Sequence, residues 1–150
     1  MCDRTANALR HLVKVCTPRT ALRQLSLVGE MAMAARRIGI ALVIDDLEYG
    51  GAQRQVIELA NNISHAKFDV HVCTLSDYVP LGKQLDDATS KLHVVPKKNR
   101  LDFTVVPRLS HLFRSLDISI VHSYLFSADI ASRLAARLAG TEVVIGSERS

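Results

Sequence analysis

This sequence lacks the features that would mark several common classes of protein. No apolar run approaches the roughly 18 to 20 residues of a membrane-spanning helix, so we expect none. The 3 cysteines, at positions 2, 16 and 73, form no CxxC pair and indicate neither a disulfide framework nor a zinc site. Neither the GxGxxG fingerprint nor a P-loop occurs. We therefore expect no metal, no bound cofactor, and a reducing cytoplasm as the compartment.

The positive charge of the chain is concentrated at its N terminus. A length of 150 residues, 48% hydrophobic and 23% charged, fits one globular domain. Residues 1–37 carry 7 basic and 2 acidic side chains, a net +5, whereas residues 38–150 carry 12 basic and 13 acidic, a net −1. Because the globular part is close to neutral, the overall +4 does not predict nucleic-acid binding.

Residues 1–37 are interpreted as a basic N-terminal extension, separate from a domain at residues 38–150. Met31 and Met33 stand just before the first predicted strand, so the extension is expected to be either a poorly ordered tail or an untranslated stretch before a later start. Its arginines and scarcity of acids also resemble a transit peptide or a segment lying on a membrane surface.

The stretch from Ile38 to Ile63 predicts a strand, a glycine turn and a helix. Ile38 to Ile44 is almost entirely apolar, which is typical of a parallel strand covered on both faces. After Gly50 and Gly51 the apolar residues recur at helical spacing. The glycine pair can adopt positive φ and approach a ligand, and the helix N-terminus offers free N–H groups, which favours an anion site. A tight strand-to-helix connection without a ligand is the alternative.

The rest of the chain alternates strands with helices and predicts an α/β fold with a doubly wound parallel sheet, Rossmann-like. Strands are predicted at residues 68–75, 92–95, 118–123 and 141–145, with helices near 81–88, 104–116 and 127–139. In the last helix Ser127 is the predicted N-cap, and Gly140 ends the helix. The predicted core face of that helix consists of Ile130, Leu134, Ala135 and Leu138.

In such sheets, ligands bind at the carboxyl ends of the strands, near the point where strand order reverses. This rule selects polar residues without any knowledge of a family. The candidates are Asp45 to Gly51, Ser76, Asp77, His122 to Tyr124 and Gly146 to Arg149.

Two separated stretches resemble one enzyme family. In the first, GGA at positions 50–52 follows the first strand and opens a helix. In the second, Asp117 to Ser150, a strand ends in His, an aromatic follows two residues later, and RLAARLAG precedes a strand closing in SER. Together these stretches resemble the N-terminal half of the group 1 (family 4) glycosyltransferases. Tyr124 departs from the pattern, since many relatives have a second histidine there.

The resemblance implies a GT-B enzyme, in which two Rossmann-like domains face each other across a cleft. In that family the N-terminal domain holds mainly the acceptor, and the C-terminal domain binds the nucleotide sugar; transfer retains anomeric configuration without a metal. The resemblance assigns no catalytic residue here, but it implies that the glycines approach the donor diphosphate or the acceptor. The substrate- or phosphate-binding residues that it implies are Gly50, Gly51, Ala52, His122, Tyr124, Glu148 and Arg149. A loop contact for His122 and a surface ion pair for Glu148 with Arg149 are the structural alternatives.

The resemblance also implies that the domain is incomplete at its C terminus, because the sequence supplies no donor-side domain. We expect an acceptor-binding half that is inactive alone and poorly soluble. Its expected partners are a nucleotide sugar, a glycan or lipid acceptor and a separately encoded donor domain, with peripheral contact at the inner membrane face. Two other functions remain open: a non-catalytic Rossmann-like binding module, and a nucleotide-cofactor oxidoreductase using Asp77, which would need GxGxxG.

Overall fold

The computed structural model describes residues 36–99 and 102–147. The extension predicted at residues 1–37 lies outside the described residues except for residues 36 and 37, and Glu148 and Arg149, interpreted as acceptor-side residues, also lie outside them. The described elements, in chain order, are β1 (Ile38–Ile44), α1 (Gly51–Asn62), β2 (Phe68–Thr74), a 3₁₀ helix (Pro80–Gln84), β3 (Ser90–Val94), α2 (Val105–Ser115), β4 (Ile118–Tyr124), α3 (Phe126–Ala139) and β5 (Val143–Ser147).

The five strands form one parallel sheet in the order β3-β2-β1-β4-β5. β1 lies at its centre, and six of its seven residues, from Gly39 to Ile44, are buried. This burial explains why the strand is nearly uninterrupted in apolar residues, since neither face is exposed to water. The predicted α/β doubly wound parallel sheet is confirmed.

Helices cover the sheet on both faces, and each face has its own apolar core. On one face α1 and the 3₁₀ helix pack through Val56, Ile57 and Leu81 against the alternate residues Ile40, Leu42 and Ile44 of β1. On the other face α2 and α3 pack against Ala41 and Val43. Because successive side chains of a strand point to opposite faces, β1 contributes to both cores.

The predicted core face of α3 is wrong. Ile130, Leu134 and Leu138 are 47%, 48% and 54% exposed, and of that set only Ala135 is buried. The face on the sheet is made of small residues instead, namely Ala128, Ala131, Ser132, Ala135 and Ala136. Small side chains let the helix backbone approach the sheet closely. The helix therefore packs on the sheet through this face of small residues, the narrow face, rather than through its more hydrophobic face.

Several predicted boundaries are also corrected. The helix predicted near residues 81–88 is a short 3₁₀ helix at Pro80–Gln84, and β5 begins at Val143 rather than at Thr141. Ser127 is not the N-cap of α3, because the helix begins at Phe126 after Leu125. Gly140 ends α3 with φ of 81°, as predicted from its place after the last turn.

Candidate functional site

The carboxyl ends of β1 and β4 form the place where this sheet changes direction. β1 has β2 on one side and β4 on the other. The helix leading from β1 lies on one face of the sheet, and the helix leading from β4 lies on the opposite face. The two loops therefore diverge and leave a crevice between them, which is where open α/β sheets bind ligands.

The glycine turn after β1 does not use positive φ. Gly50 is the N-cap of α1 with extended φ and ψ of −143° and 170°, and Gly51 is its first helical residue. Among the described residues the positive φ values belong to Asp117, Leu125 and Gly140. The expectation of a left-handed conformation at the glycine pair is therefore wrong, and the backbone here does not itself require glycine.

The space in front of Gly51 is open. A Cβ atom added at Gly51 would meet no heavy atom within 4 Å, whereas one at Gly50 would meet only the flexible side chain of Gln53. Gly51 is exposed, and Ala52 is half-buried. A ligand can therefore come close to the backbone at Gly51, where the first N–H groups of α1 have no partner within the helix.

Asp46 fixes the loop between β1 and α1. Its Oδ1 accepts a hydrogen bond from the Glu48 backbone N–H at 3.1 Å and another from Gln53 Nε2 at 3.0 Å. These bonds tie the loop to the first turn of the helix. The turn is thus held in shape by a carboxylate rather than by glycine conformation.

His122 and Tyr124 lie together at the end of β4, as expected for alternate residues of one strand. The Tyr124 hydroxyl is 3.2 Å from His122 Nδ1, and His122 Nε2 is 2.8 Å from the hydroxyl of Ser147 on β5. Burial lowers the pKa of His122 below its usual 6.5. A neutral imidazole has one donor and one acceptor nitrogen, and both already have hydroxyl partners here. His122 thus links β4 to β5 through hydrogen bonds to the hydroxyls of Tyr124 and Ser147.

A polar cluster that the sequence reasoning missed joins two loops and the first turn of α3 at the same edge of the sheet. Lys97 Nζ lies 2.8 Å from Asp45 Oδ1 and 2.6 Å from Ser127 Oγ, and Ser127 Oγ is 2.6 Å from the same Asp45 oxygen. The side chains of Lys97 and Asp45 are only 16% and 24% exposed. Asp45 was a candidate from its place after β1, whereas Lys97 and Ser127 were not candidates for the site.

The sharp entry into α3 positions Ser127 in this cluster. Leu125 joins β4 to α3 with φ of 69° and ψ of 151°, a region that costs a non-glycine residue about 1–3 kcal/mol. Its backbone N–H donates to the Ser147 carbonyl at 3.3 Å. The turn therefore places Ser127 above the end of β1 at a conformational cost.

Asp129 forms a second cluster that the sequence did not reveal. Asp129 is 8% exposed and accepts hydrogen bonds from Ser123 Oγ at 2.5 Å and Arg133 Nε at 2.6 Å. Burial raises its pKa, but the bonds from Arg133 and Ser123 outweigh burial and lower it. A Cβ at Gly146 would lie 2.6 Å from Asp129 Oδ1, so glycine leaves room for this carboxylate against β5.

The remaining candidates form no further site. Ser76 closes a local turn by accepting the Tyr78 N–H at 3.1 Å, and Asp77 is exposed. Within residues 36–99 and 102–147, no group of three or more His, Cys, Asp or Glu side chains is placed to hold a metal ion. None of the helices in that part of the chain combines the length and apolar content needed to traverse a bilayer.

Comparison with known proteins adds one strong similarity. The family model described as Glycosyltransferase Family 4 matches residues 49–147, which include the glycine turn, Lys97 and all of α3 but not Asp45. Among curated proteins, none matches. A solved structure that matches is the C-terminal domain of a hydrogenase from Pyrococcus furiosus, at 17% identity, 74% coverage of this chain, 94% coverage of that chain and a TM-score of 0.42. A likeness this slight supports no conclusion about activity.

Proposed function

This chain belongs to glycosyltransferase family 4, and from that premise we propose that it is the acceptor-binding half of a retaining glycosyltransferase. In this proposal a sugar passes from a nucleotide-sugar donor to a glycan or lipid acceptor held at the carboxyl edge of the sheet. The nucleotide sugar is a co-substrate, and no other cofactor takes part.

The observation that carries the proposal is the open space in front of Gly51. Glycine at this position is not needed for backbone conformation, since Gly51 is helical, and a Cβ there would meet nothing. A phosphate or a sugar hydroxyl can therefore approach the helix N-terminus and accept N–H bonds, aided by the helix dipole. Nearby, the partly buried Asp45 and Lys97 supply a carboxylate and an ammonium for an acceptor hydroxyl.

The proposal gives each group of residues in this site a role. Gly50, Gly51 and Ala52 admit the donor diphosphate when a donor-side domain closes over the edge of the sheet. His122 and Tyr124 position the acceptor side through the bond to Ser147. No residue of this chain is assigned the chemical step, because stabilisation of the leaving diphosphate would come from the donor side.

The test is a titration of ¹⁵N-labelled protein with UDP-glucose, GDP-mannose and NAD⁺ as probes. We expect nucleotide sugars to shift the amide signals of Gly51 and Ala52, with no turnover by this chain alone. Addition of a donor-side domain from a family 4 enzyme should give transfer with retained anomeric configuration, unaffected by EDTA. Turnover by the 150-residue chain alone would contradict the division of roles.

Two other functions are separated by the same titration. Saturable NAD⁺ binding in preference to the nucleotide sugars would favour an oxidoreductase, although GxGxxG is absent. If no nucleotide binds and no donor domain restores transfer, the chain is a non-catalytic binding module. Cytoplasmic location, with peripheral contact at the inner membrane face, belongs to the proposal and is checked by fractionation of cells expressing the native gene.

A further inference from the structure

A groove of about 320 Å³ lies between α2 and α3, next to the cluster of Asp45, Lys97 and Ser127. Most of its lining is apolar or aromatic, from Phe103, Val105, Val106, Phe126, Ile130, Ala131 and Leu134. Its polar lining comes from Lys97, Asp102 and Ser127, which all belong to the loop before α2 or to the first turn of α3. The groove is therefore polar where it meets the carboxyl edge of the sheet and apolar farther along α3.

The apolar part of this groove is exposed. Phe103 and Phe126 are 75% and 70% exposed, and Ile130 and Leu134 are about half exposed. Single exposed apolar side chains are common, but four that line one concave surface form a patch of the kind that marks a binding site. The volume of the groove falls within the usual range for small-molecule sites.

The charges at the polar end are internally balanced. Lys97 is paired with Asp45 at 2.8 Å, and Arg108 is paired with Asp102 at 3.2 Å. Backbone and hydroxyl hydrogen bonds from Lys98 and Thr104 hold the pKa of Asp102 at about 2, so this carboxylate remains charged. An anionic headgroup would lie beside two carboxylates, whereas an uncharged hydroxyl can accept the third N–H of Lys97, whose other two bond Asp45 and Ser127, and can donate to Asp45.

We propose that the groove binds an amphiphilic acceptor, with an alkyl-type chain between α2 and α3 and an uncharged, hydroxyl-bearing head at Lys97 and Ser127. The role of the bound molecule as an acceptor rests on the proposed function, but its binding to the groove does not. This assignment names the substrate class as a lipid or alkyl alcohol rather than a free glycan.

The experiment measures how binding depends on chain length. The purified 150-residue chain is titrated calorimetrically with glucose and with the butyl, hexyl and octyl β-D-glucopyranosides, all below micelle-forming concentrations. We expect glucose not to bind measurably, and each added methylene to tighten binding about two- to fourfold, the upper value corresponding to about 0.8 kcal/mol for full burial. Equal affinity for all chain lengths would overturn the proposal.

Matched variants place the binding in the groove. Leu134→Gln should weaken octyl glucoside binding at least about fivefold and flatten the chain-length dependence, because the chain loses apolar contact. Leu138→Gln is the control, since Leu138 is on the same exposed stripe but does not line the groove. Phe126→Ser tests the same surface at an exposed position, in case the first variant folds poorly. Unchanged binding in folded Leu134→Gln and Phe126→Ser variants would also overturn the proposal.

Two other occupants give distinct results. Tighter binding of octyl phosphate than of octyl glucoside would contradict the uncharged head and assign the site to an anionic amphiphile. Concentration-dependent dimerisation that Leu134→Gln abolishes and octyl glucoside does not affect would assign the surface to a second copy of the chain.

Failure of the proposed function has a separate signature. If octyl glucoside binds but no donor domain restores transfer, the groove assignment stands without the enzyme. If transfer is restored and alkyl length has no effect on it or on binding, the enzyme assignment stands without the groove.

Discussion

Replacement of Gly51 by alanine separates the demands of folding from those of binding. A Cβ at this position meets no heavy atom within 4 Å, and Gly51 has helical φ. Alanine is favoured over glycine within helices by about 0.5–1 kcal/mol. Gly51→Ala should thus leave the free energy of unfolding unchanged or raise it by up to about 1 kcal/mol.

Ligand binding should respond in the opposite direction. The added methyl group lies in front of the helix N-terminus and keeps a phosphate from the nearest N–H group. Loss of one hydrogen bond to a charged group costs about 1.5–3 kcal/mol of binding free energy, which raises the dissociation constant about 10- to 150-fold. Urea unfolding followed by circular dichroism gives the stability, and the amide shifts of the labelled protein give the affinity for the nucleotide sugar.

Gly39 provides the contrast within the same sheet. A Cβ there would lie 2.6 Å from the Asp117 backbone carbonyl oxygen, where β1 and β4 pair irregularly. Gly39→Ala should therefore destabilise the fold by about 1–3 kcal/mol, the usual cost of overpacking. Wild-type affinity in Gly51→Ala would refute the argument that a ligand approaches this helix, and a marked loss of its stability would refute the open geometry.

Three further changes probe other parts of the domain. Lys97→Met should lower the free energy of unfolding in urea by about 1–3 kcal/mol, because it leaves the partly buried Asp45 without its ammonium partner. A change within experimental error would show that the ion pair contributes nothing to stability. Gly140→Ala should lower the free energy of unfolding by about 1 kcal/mol, since φ of 81° is strained for a residue with a side chain. Equal thermal midpoints for the variant and the wild type would contradict this backbone conformation. Burial lowers the pKa of His71 and His93 below 6.5 in the folded state. The unfolded chain therefore binds more protons than the folded chain near this pH, and the stability should fall as the pH drops below 6.5. Thermal melts across this range should show the fall, reduced in His93→Gln; a midpoint independent of pH would contradict it.

Local patterns in the sequence sufficed for the central elements of the fold. The apolar run from Ile38 to Ile44 predicted β1, because a strand buried on both faces is apolar at nearly every position. The apolar residues at helical spacing after Gly51 predicted α1, because a helix buried along one stripe is apolar at every third or fourth position. The order of strands and helices was enough to predict the parallel sheet. The carboxyl-edge rule then located Asp45, His122 and Tyr124, which the structure places at the ends of β1 and β4.

The partners within the site were beyond prediction because they are distant in sequence. Asp45 bonds to Lys97, 52 positions away, and to Ser127, 82 positions away. No periodicity or motif connects such residues, and each alone is typical of a solvated loop or a helix cap. The strained turn at Leu125 also has no sequence signal, since leucine disfavours φ of 69°.

The face of α3 was mispredicted because hydrophobicity alone ranks Ile130, Leu134 and Leu138 above alanine. Both faces of this helix are apolar enough to be buried, and the choice between them depends on shape. The alanine face allows closer contact with the sheet.

The narrow face of α3 has a consequence for the substitutions that the gene can tolerate. Ala128, Ala135 and Ala136 are fully buried, so even one added methyl group pushes the helix away from the sheet. The larger residues on the outer face are about half exposed, so their replacement costs less stability than replacement of the buried alanines. Among variants selected only for folding, the alanines of this helix should stay fixed while its isoleucine and leucines drift, a reversal of the usual order of conservation in amphipathic helices.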